Sequence, residues 1–144
     1  MKANKAIART GFTLVELAVV IVIIGVLAAF AVPRFKASVE RSKAAEAFNY
    51  LASVQAAQER YHARQSTYAT NVADLDIQMT APKYFSVPLT FTAGGTGELD
   101  DSWTLTLTRS GANAGYGEYT VTFTETGFDA DNSDITTEIN PMGT

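Results

Sequence analysis

Twenty-one residues, Phe12 to Val32, form one apolar run that contains a single charge, Glu16. A helix rises about 1.5 Å per residue, so the run spans roughly 30 Å, the thickness of a bilayer's hydrocarbon core. An ionised carboxylate inside such a segment costs about 2.5–3.5 kcal/mol on insertion scales. A chain that keeps one there needs a partner for it. The run follows Gly11 and a short basic stub, Met1 to Thr10, carrying Lys2, Lys5 and Arg9.

Beyond Pro33 the apolar pattern changes period rather than stopping. Ala44, Ala47, Phe48, Leu51, Val54, Gln58 and Tyr61 recur at three- and four-residue steps, one stripe of a helix that reaches about Gln65. The other faces carry Glu40, Arg41, Lys43, Glu46, Glu59 and Arg60. The spacing therefore predicts one helix of about 50 residues, interrupted at Pro33, where a missing backbone donor favours a kink or local melting. Gly25 lowers helix propensity within the apolar half.

Residues 66–82 read as a loop, with Asn71, Asp74, Asp76 and Pro82 as its turn formers. Strand signals follow over 83–126. Lys83–Phe91 is rich in aromatic and β-branched residues but broken by Pro88, and Gly94 to Gly97 is a turn. Ser102–Arg109 alternates Trp103, Leu105 and Leu107 with three threonines. Glu118–Glu125 alternates Tyr119, Val121 and Phe123 with three more. Period two in both runs predicts an antiparallel hairpin whose apolar face the helix stripe covers. The fold class is α+β: a long N-terminal helix, membrane-spanning in its first half and amphipathic in its second, packed on a small antiparallel sheet. Residues 127–144 have no periodicity beyond Phe128, Ile135 and Ile139, and are either a loop lying back on the sheet or partly disordered.

Composition removes several function classes. The chain of 144 residues has no cysteine, which excludes disulfides and thiolate chemistry. Its single histidine, His62, makes a histidine-based triad or a histidine-rich metal site hard to build; it is expected as a surface or capping residue, and Trp103 as sheet core. Residues 34–64 hold six bases against three acids, whereas Lys83 to the end holds two bases against nine acids. An acidic head is a poor footprint for nucleic acid, and no nucleic-acid partner is expected. No nucleophile, base and orienting group converge in sequence, so no enzymatic activity is expected.

The stretch Arg9-Thr10-Gly11-Phe12-Thr13-Leu14-Val15-Glu16-Leu17, with the apolar run through Gly25 to Pro33, resembles the prepilins: type IV pilins and the pseudopilins of type II secretion systems. The resemblance implies a leader, residues 1–11, removed between Gly11 and Phe12 by a membrane aspartyl prepilin peptidase that then methylates the Phe12 amine. It implies that residues 12–33 anchor the subunit in the bacterial cytoplasmic membrane and later form the filament core. Residues 34–144 form a periplasmic or extracellular head. Glu16, Gly25 and Pro33 become assembly residues, and the partners are further copies of the chain, an inner-membrane assembly platform, a cytoplasmic ATPase and lipid. Gly11 itself lets an extended backbone approach a protease closely. Cleavage places a cationic amine on the same rigid helix as Glu16, about 6 Å away along its axis. An adjacent copy shifted along a filament is thus the expected source of the amine that neutralises Glu16.

The main expectation is a structural subunit of a type IV pilus, and the alternative a secretion pseudopilin. Further off stand a single-pass membrane-anchored binding module and an ordinary secretory signal, for which Ala29-Phe30-Ala31 supplies a small-x-small site but the run is overlong. Many pilins fasten their C-terminal segment with a disulfide. This chain departs from that pattern, so sheet packing or calcium is left to hold the tail. Asp129, Asp131 and Asp134 are the candidate calcium ligands, without the glycine and terminal glutamate of an EF-hand loop.

Overall fold

The computed structural model describes residues 11–95, 97–111 and 115–143. The basic leader, apart from Gly11, lies outside the described residues, as does Thr96 of the expected glycine-rich turn. Helix α1 runs Leu14–Gln65, 52 residues, close to the expected length. The expected interruption at Pro33 is corrected: α1 continues through it. A proline deletes one hydrogen bond, here to the Ala29 carbonyl, and the turns on either side keep theirs. The chain divides into two compact units, Met1–Phe35 and Lys36–Thr144.

In the first unit the apolar side chains of α1 are exposed on every face, Leu14 at 86% and Ile24 at 58%. In the second, α1 buries a stripe: Glu40, Ala44, Ala47, Phe48, Leu51, Val54 and Gln58. It packs on a five-stranded antiparallel sheet: β1 (Phe85–Ser86), β2 (Thr92–Ala93), β3 (Trp103–Arg109), β4 (Thr120–Thr124) and β5 (Gly127–Asp129). Strand β3 is central and alternates as expected, Trp103, Leu105, Leu107 and Arg109 inward, three threonines outward. Phe48 meets Phe123 edge-on at 5.7 Å and Phe128 at 4.9 Å, while Phe91 meets Trp103 at 5.4 Å. Fully burying a large side chain contributes about 1.5–3 kcal/mol, and of these rings only Phe128 is partly exposed.

Of the stretch Lys83–Phe91, expected to carry strand signals with a break at Pro88, only Phe85–Ser86 is strand, and β2 begins just beyond it at Thr92. Both β1 and β2 pair with β3, near its opposite ends: Phe85 opposite Arg109 and Thr92 opposite Thr104. Pro88, which has no N–H for a ladder, falls in the excursion between them. There the chain pairs instead with residues 70–72, Phe91 N–H donating to Thr70 O and Val72 N–H to Leu89 O, both 2.9 Å. The preceding loop is tied to α1 by Gln58, whose buried amide donates to Ala69 O (3.2 Å) and accepts from Ala69 N–H (2.8 Å). Arg60 adds a bidentate bond to Asp76 at the surface.

The expected loop over residues 127–144 is corrected at its start, where residues 127–129 add an edge strand to the sheet. A two-residue turn, Glu125-Thr126, leads into β5, where Gly127 at φ 111° occupies backbone space that a side chain would strain. Residues 132–134 then fold over the outer face of β4. Thr122 Oγ1 donates to Asn132 O (2.8 Å) and Thr122 N–H to Ser133 Oγ (2.9 Å), which leaves Thr122 buried although its strand position faces outward. Ile139 enters the core, and Arg41 donates to Pro141 O at 3.3 Å.

Glu40 was expected among the solvated faces of α1, and is instead fully buried. Its Oε1 accepts from Arg109 Nε (2.5 Å) and Tyr119 Oη (3.1 Å), and its Oε2 from Lys43 Nζ (3.2 Å). Arg109 also donates to the Tyr84 and Ser110 carbonyls. Burial raises the Glu40 pKa, but the hydrogen bonds from Arg109, Lys43 and Tyr119 and the charge of Arg109 outweigh it, leaving the pKa below its ordinary 4.5. Burial beside that carboxylate pushes the Tyr119 phenol up. A pair buried this completely discriminates between registers of helix on sheet, because any slip strands a charge.

Arg109→Met should therefore cost about 3–5 kcal/mol, measured by urea unfolding of the detergent-solubilised chain with Trp103 fluorescence as the probe, and Glu40→Leu in the same chain should recover most of it. Because the folded-state pKa of Glu40 is depressed, its contribution is present above about pH 4.5 and lost as pH falls through the folded value. The Arg109→Met chain should show a shallower loss of stability on acidification than the parent.

Candidate assembly segment

The segment opens with Gly11, Phe12 and Thr13 outside the helix and Leu14 as its first residue, which makes Thr13 the N-cap and Glu16 the third helical position. Thr13 N–H and Thr13 Oγ1 both donate to Glu16 Oε2, each at 2.8 Å. Glu16 N–H returns a bond to Thr13 Oγ1 at 3.2 Å, and Leu17 N–H donates to Thr13 O. This is a capping box, the reciprocal pairing of an N-cap hydroxyl with a glutamate three residues on. Its carboxylate also sits where the positive end of the helix dipole favours it.

The capping box supplies what the sequence reading missed. Glu16 was assigned no partner within its own chain; Thr13 is one. The signal was legible, since Thr-x-x-Glu ahead of an apolar run is the written form of this motif. The side chain folds back toward the helix start, to the residue next to Phe12, and because α1 begins at Leu14, the expectation that Phe12 and Glu16 share one rigid helix is corrected.

The other candidate residues lie further along the same helix and do not converge with Glu16. Around Gly25, a side chain would meet nothing of the chain within 4 Å, so no packing inside the chain requires a glycine there. Pro33 sits within α1 close to the end of the first unit. One helix among the described residues, α1, is long and apolar enough to cross a membrane. Its exposed flanks are costly in water and need lipid or other helices around them.

In the second unit the aspartates are not brought together as ligands. Asp129 accepts from the backbone of Asp131 and Asn132 at 3.1 Å and from Asn132 Nδ2 at 2.8 Å, a closed turn. The hydrogen bond from the Asn132 side chain leads in holding its carboxyl below the usual value. Asp134 engages Thr120 through its backbone, and no group of three or more metal-ligating side chains gathers among the described residues. A hollow of about 640 Å³ over the outer sheet face is lined by threonines, Glu125, Asp129 and Asn132. Several of these groups already bond one another, as Thr106 and Thr122 do at 2.9 Å. His62 stacks on Tyr68 at 4.4 Å near the end of α1, and Trp103 is core, both as expected.

Residues 8–32 match the model of the prokaryotic N-terminal methylation motif. The chain is 35% identical over 88 residues to the fimbrial protein EcpC of Eikenella corrodens, covering 61% of this chain and 58% of that one. It is 35% identical over 74 residues to the type II secretion system core protein G of Vibrio cholerae, 51% of each. It is 42% identical over 59 residues to the type IV major pilin protein PilA of Myxococcus xanthus, 41% of this chain and 27% of that one. The front of the chain thus carries the methylation motif, and the chain is similar to type IV pilins and type II secretion pseudopilins. The matches span about half to three fifths of the length of the first two relatives.

For this pilin-like head, the closed Asp129 turn leads to a specific expectation. Asp129→Ala should lower stability by about 1 kcal/mol through its lost hydrogen bonds, whereas Asp131→Ala should be near neutral, with or without calcium. A melting temperature that rises with added calcium in the parent and not in Asp131→Ala would contradict it.

Proposed function

We propose that this protein is a structural subunit of a type IV pilus, made as a prepilin and working by assembly rather than by catalysis. The observation that carries the reading is an apolar helix exposed on every face, headed by Gly11-Phe12 and holding one carboxylate at the fifth residue of the mature chain. A prepilin peptidase cuts between Gly11 and Phe12 and methylates the new amine. Residues 12–32 hold the subunit in the cytoplasmic membrane until an assembly platform, driven by a cytoplasmic ATPase, moves it into a filament. The same surface then packs against the helices of other copies, with the head outward. Glu16 pairs with the Phe12 amine of an adjacent copy, so two charges that are costly alone in lipid are neutralised together. Gly25 and Pro33 serve that packing, Gly25 by allowing close approach and Pro33 by removing one bond where the helix needs to stretch.

A second reading, a pseudopilin of a type II secretion system, has its own support. The matches to core protein G cover 51% and 60% of this chain and so reach well past the methylation motif into the head. In that case the filament stays in the periplasm.

Mass spectrometry of native membrane material should find the chain starting at a methylated Phe12; material retaining Met1, or beginning at Val32, contradicts both readings. Glu16→Ala should insert in the membrane as the parent does yet give few filaments, counted by electron microscopy of sheared cells.

A further inference from the structure

Just past the apolar run, α1 carries two bases with no acid beside them to neutralise their charge. Between Glu16 and Glu40 the chain has no acidic residue, and its ionised groups there are Arg34 and Lys36. Both are exposed, and neither makes a hydrogen bond or ion pair among the described residues. Glu40, one turn beyond Lys36, is fully buried, and its oxygens are taken by Arg109, Lys43 and Tyr119. The next bases along the helix are committed as well, Arg41 to Pro141 O and Lys43 to Glu40 Oε2. The counter-charge for Arg34 and Lys36 therefore has to come from outside the chain.

The length of the run says from where. Its last residue is Val32, so at about 1.5 Å per residue Arg34 stands about 3 Å and Lys36 about 6 Å beyond it along α1. The polar layer on each side of a hydrocarbon core is about 5–7 Å deep, and both positions fall within it. Lipid phosphodiesters are the anions of that layer. Two steps along a helix turn about 200°, so the bases leave α1 on opposite sides and each meets its own headgroup. We infer that Arg34 and Lys36 bind anionic phospholipid headgroups at the outer end of the membrane span, and that these lipids are the counter-ions of the unassembled subunit. The inference rests on the reading that residues 12–32 span the membrane. Arg34 offers a planar fork that grips two phosphate oxygens at once, and Lys36 a point charge on a stem long enough to follow the headgroup. Leaving the bilayer breaks both contacts, so anionic lipid holds the subunit against extraction.

The test titrates the full-length chain in detergent micelles with phosphatidylglycerol and, separately, with phosphatidylcholine, counting bound lipid by native mass spectrometry. The parent should take up phosphatidylglycerol more tightly than phosphatidylcholine. Arg34→Gln and Lys36→Gln should each lose about five-fold in affinity for phosphatidylglycerol, and the double variant about twenty-five-fold, while affinity for phosphatidylcholine stays unchanged. Arg34→Lys/Lys36→Arg should keep the preference. No preference in the parent overturns the inference. So does a double variant that retains it, since the leader bases Lys2, Lys5 and Arg9 would then be its source. Should the double variant fail to fold, judged by Trp103 fluorescence, Lys2→Gln/Lys5→Gln/Arg9→Gln decides, because it leaves Arg34 and Lys36 as the bases flanking the run. A preference kept in that variant supports the inference, and one lost overturns it. A parent chain that neither enters micelles nor sediments with membranes overturns the membrane span itself, a failure distinct from an inserted chain without lipid preference.

Discussion

Helix α1 is apolar on every face over its first half and along one stripe over its second. No arrangement within a single small chain satisfies both halves. The stripe is matched by the inward faces of β3 and β4, a core built from Phe48, Leu51, Val54, Trp103, Leu107 and Phe123. The first half has no such match and exposes its side chains throughout. Lipid and the helices of other copies are the two environments that suit it, and a subunit that passes from one to the other uses a single surface for both.

Within that frame the chain handles two glutamates by opposite means. Glu40 is fully buried, and three cationic or hydroxyl donors from α1, β3 and the residue before β4 close on its two oxygens. Nothing more is asked of it than to mark the register of helix on sheet. Glu16 is held through one oxygen by a neighbour three residues away. The absence of cysteine is answered in the same economy, since Asp129, Ser133, Ile139 and Pro141 fasten the tail by turn, ladder and packing.

Much of this was legible in residue order. The two hairpin strands announced themselves because one of their faces is solvated and the other buried, which writes period two into the chain. The stripe on α1 followed from period 3.6 in the same way. Strand β5 did not, because three residues are too few to carry a period. The split of β1 from β2 was half legible: Pro88 marked a break, but not that residues 70–72 would take up the vacated pairing. Glu40 and Arg109 were unreadable as a pair, since 69 positions separate them and each alone reads as an ordinary surface charge. The Thr13–Glu16 box was local and readable, and was missed because the glutamate was taken as a charge seeking a distant partner.

Residue order alone determined the processing motif, the length and all-round apolarity of the first half of α1, and the alternation that makes a hairpin. These are properties of neighbours, set by side-chain type at fixed short spacing. Only the tertiary structure decided which charge is buried, which edge the broken strand uses and how a cysteine-free tail is fastened. Each of those depends on groups far apart in the chain that meet because an unpaired donor or acceptor inside a core costs more than the chain entropy of bringing its partner to it.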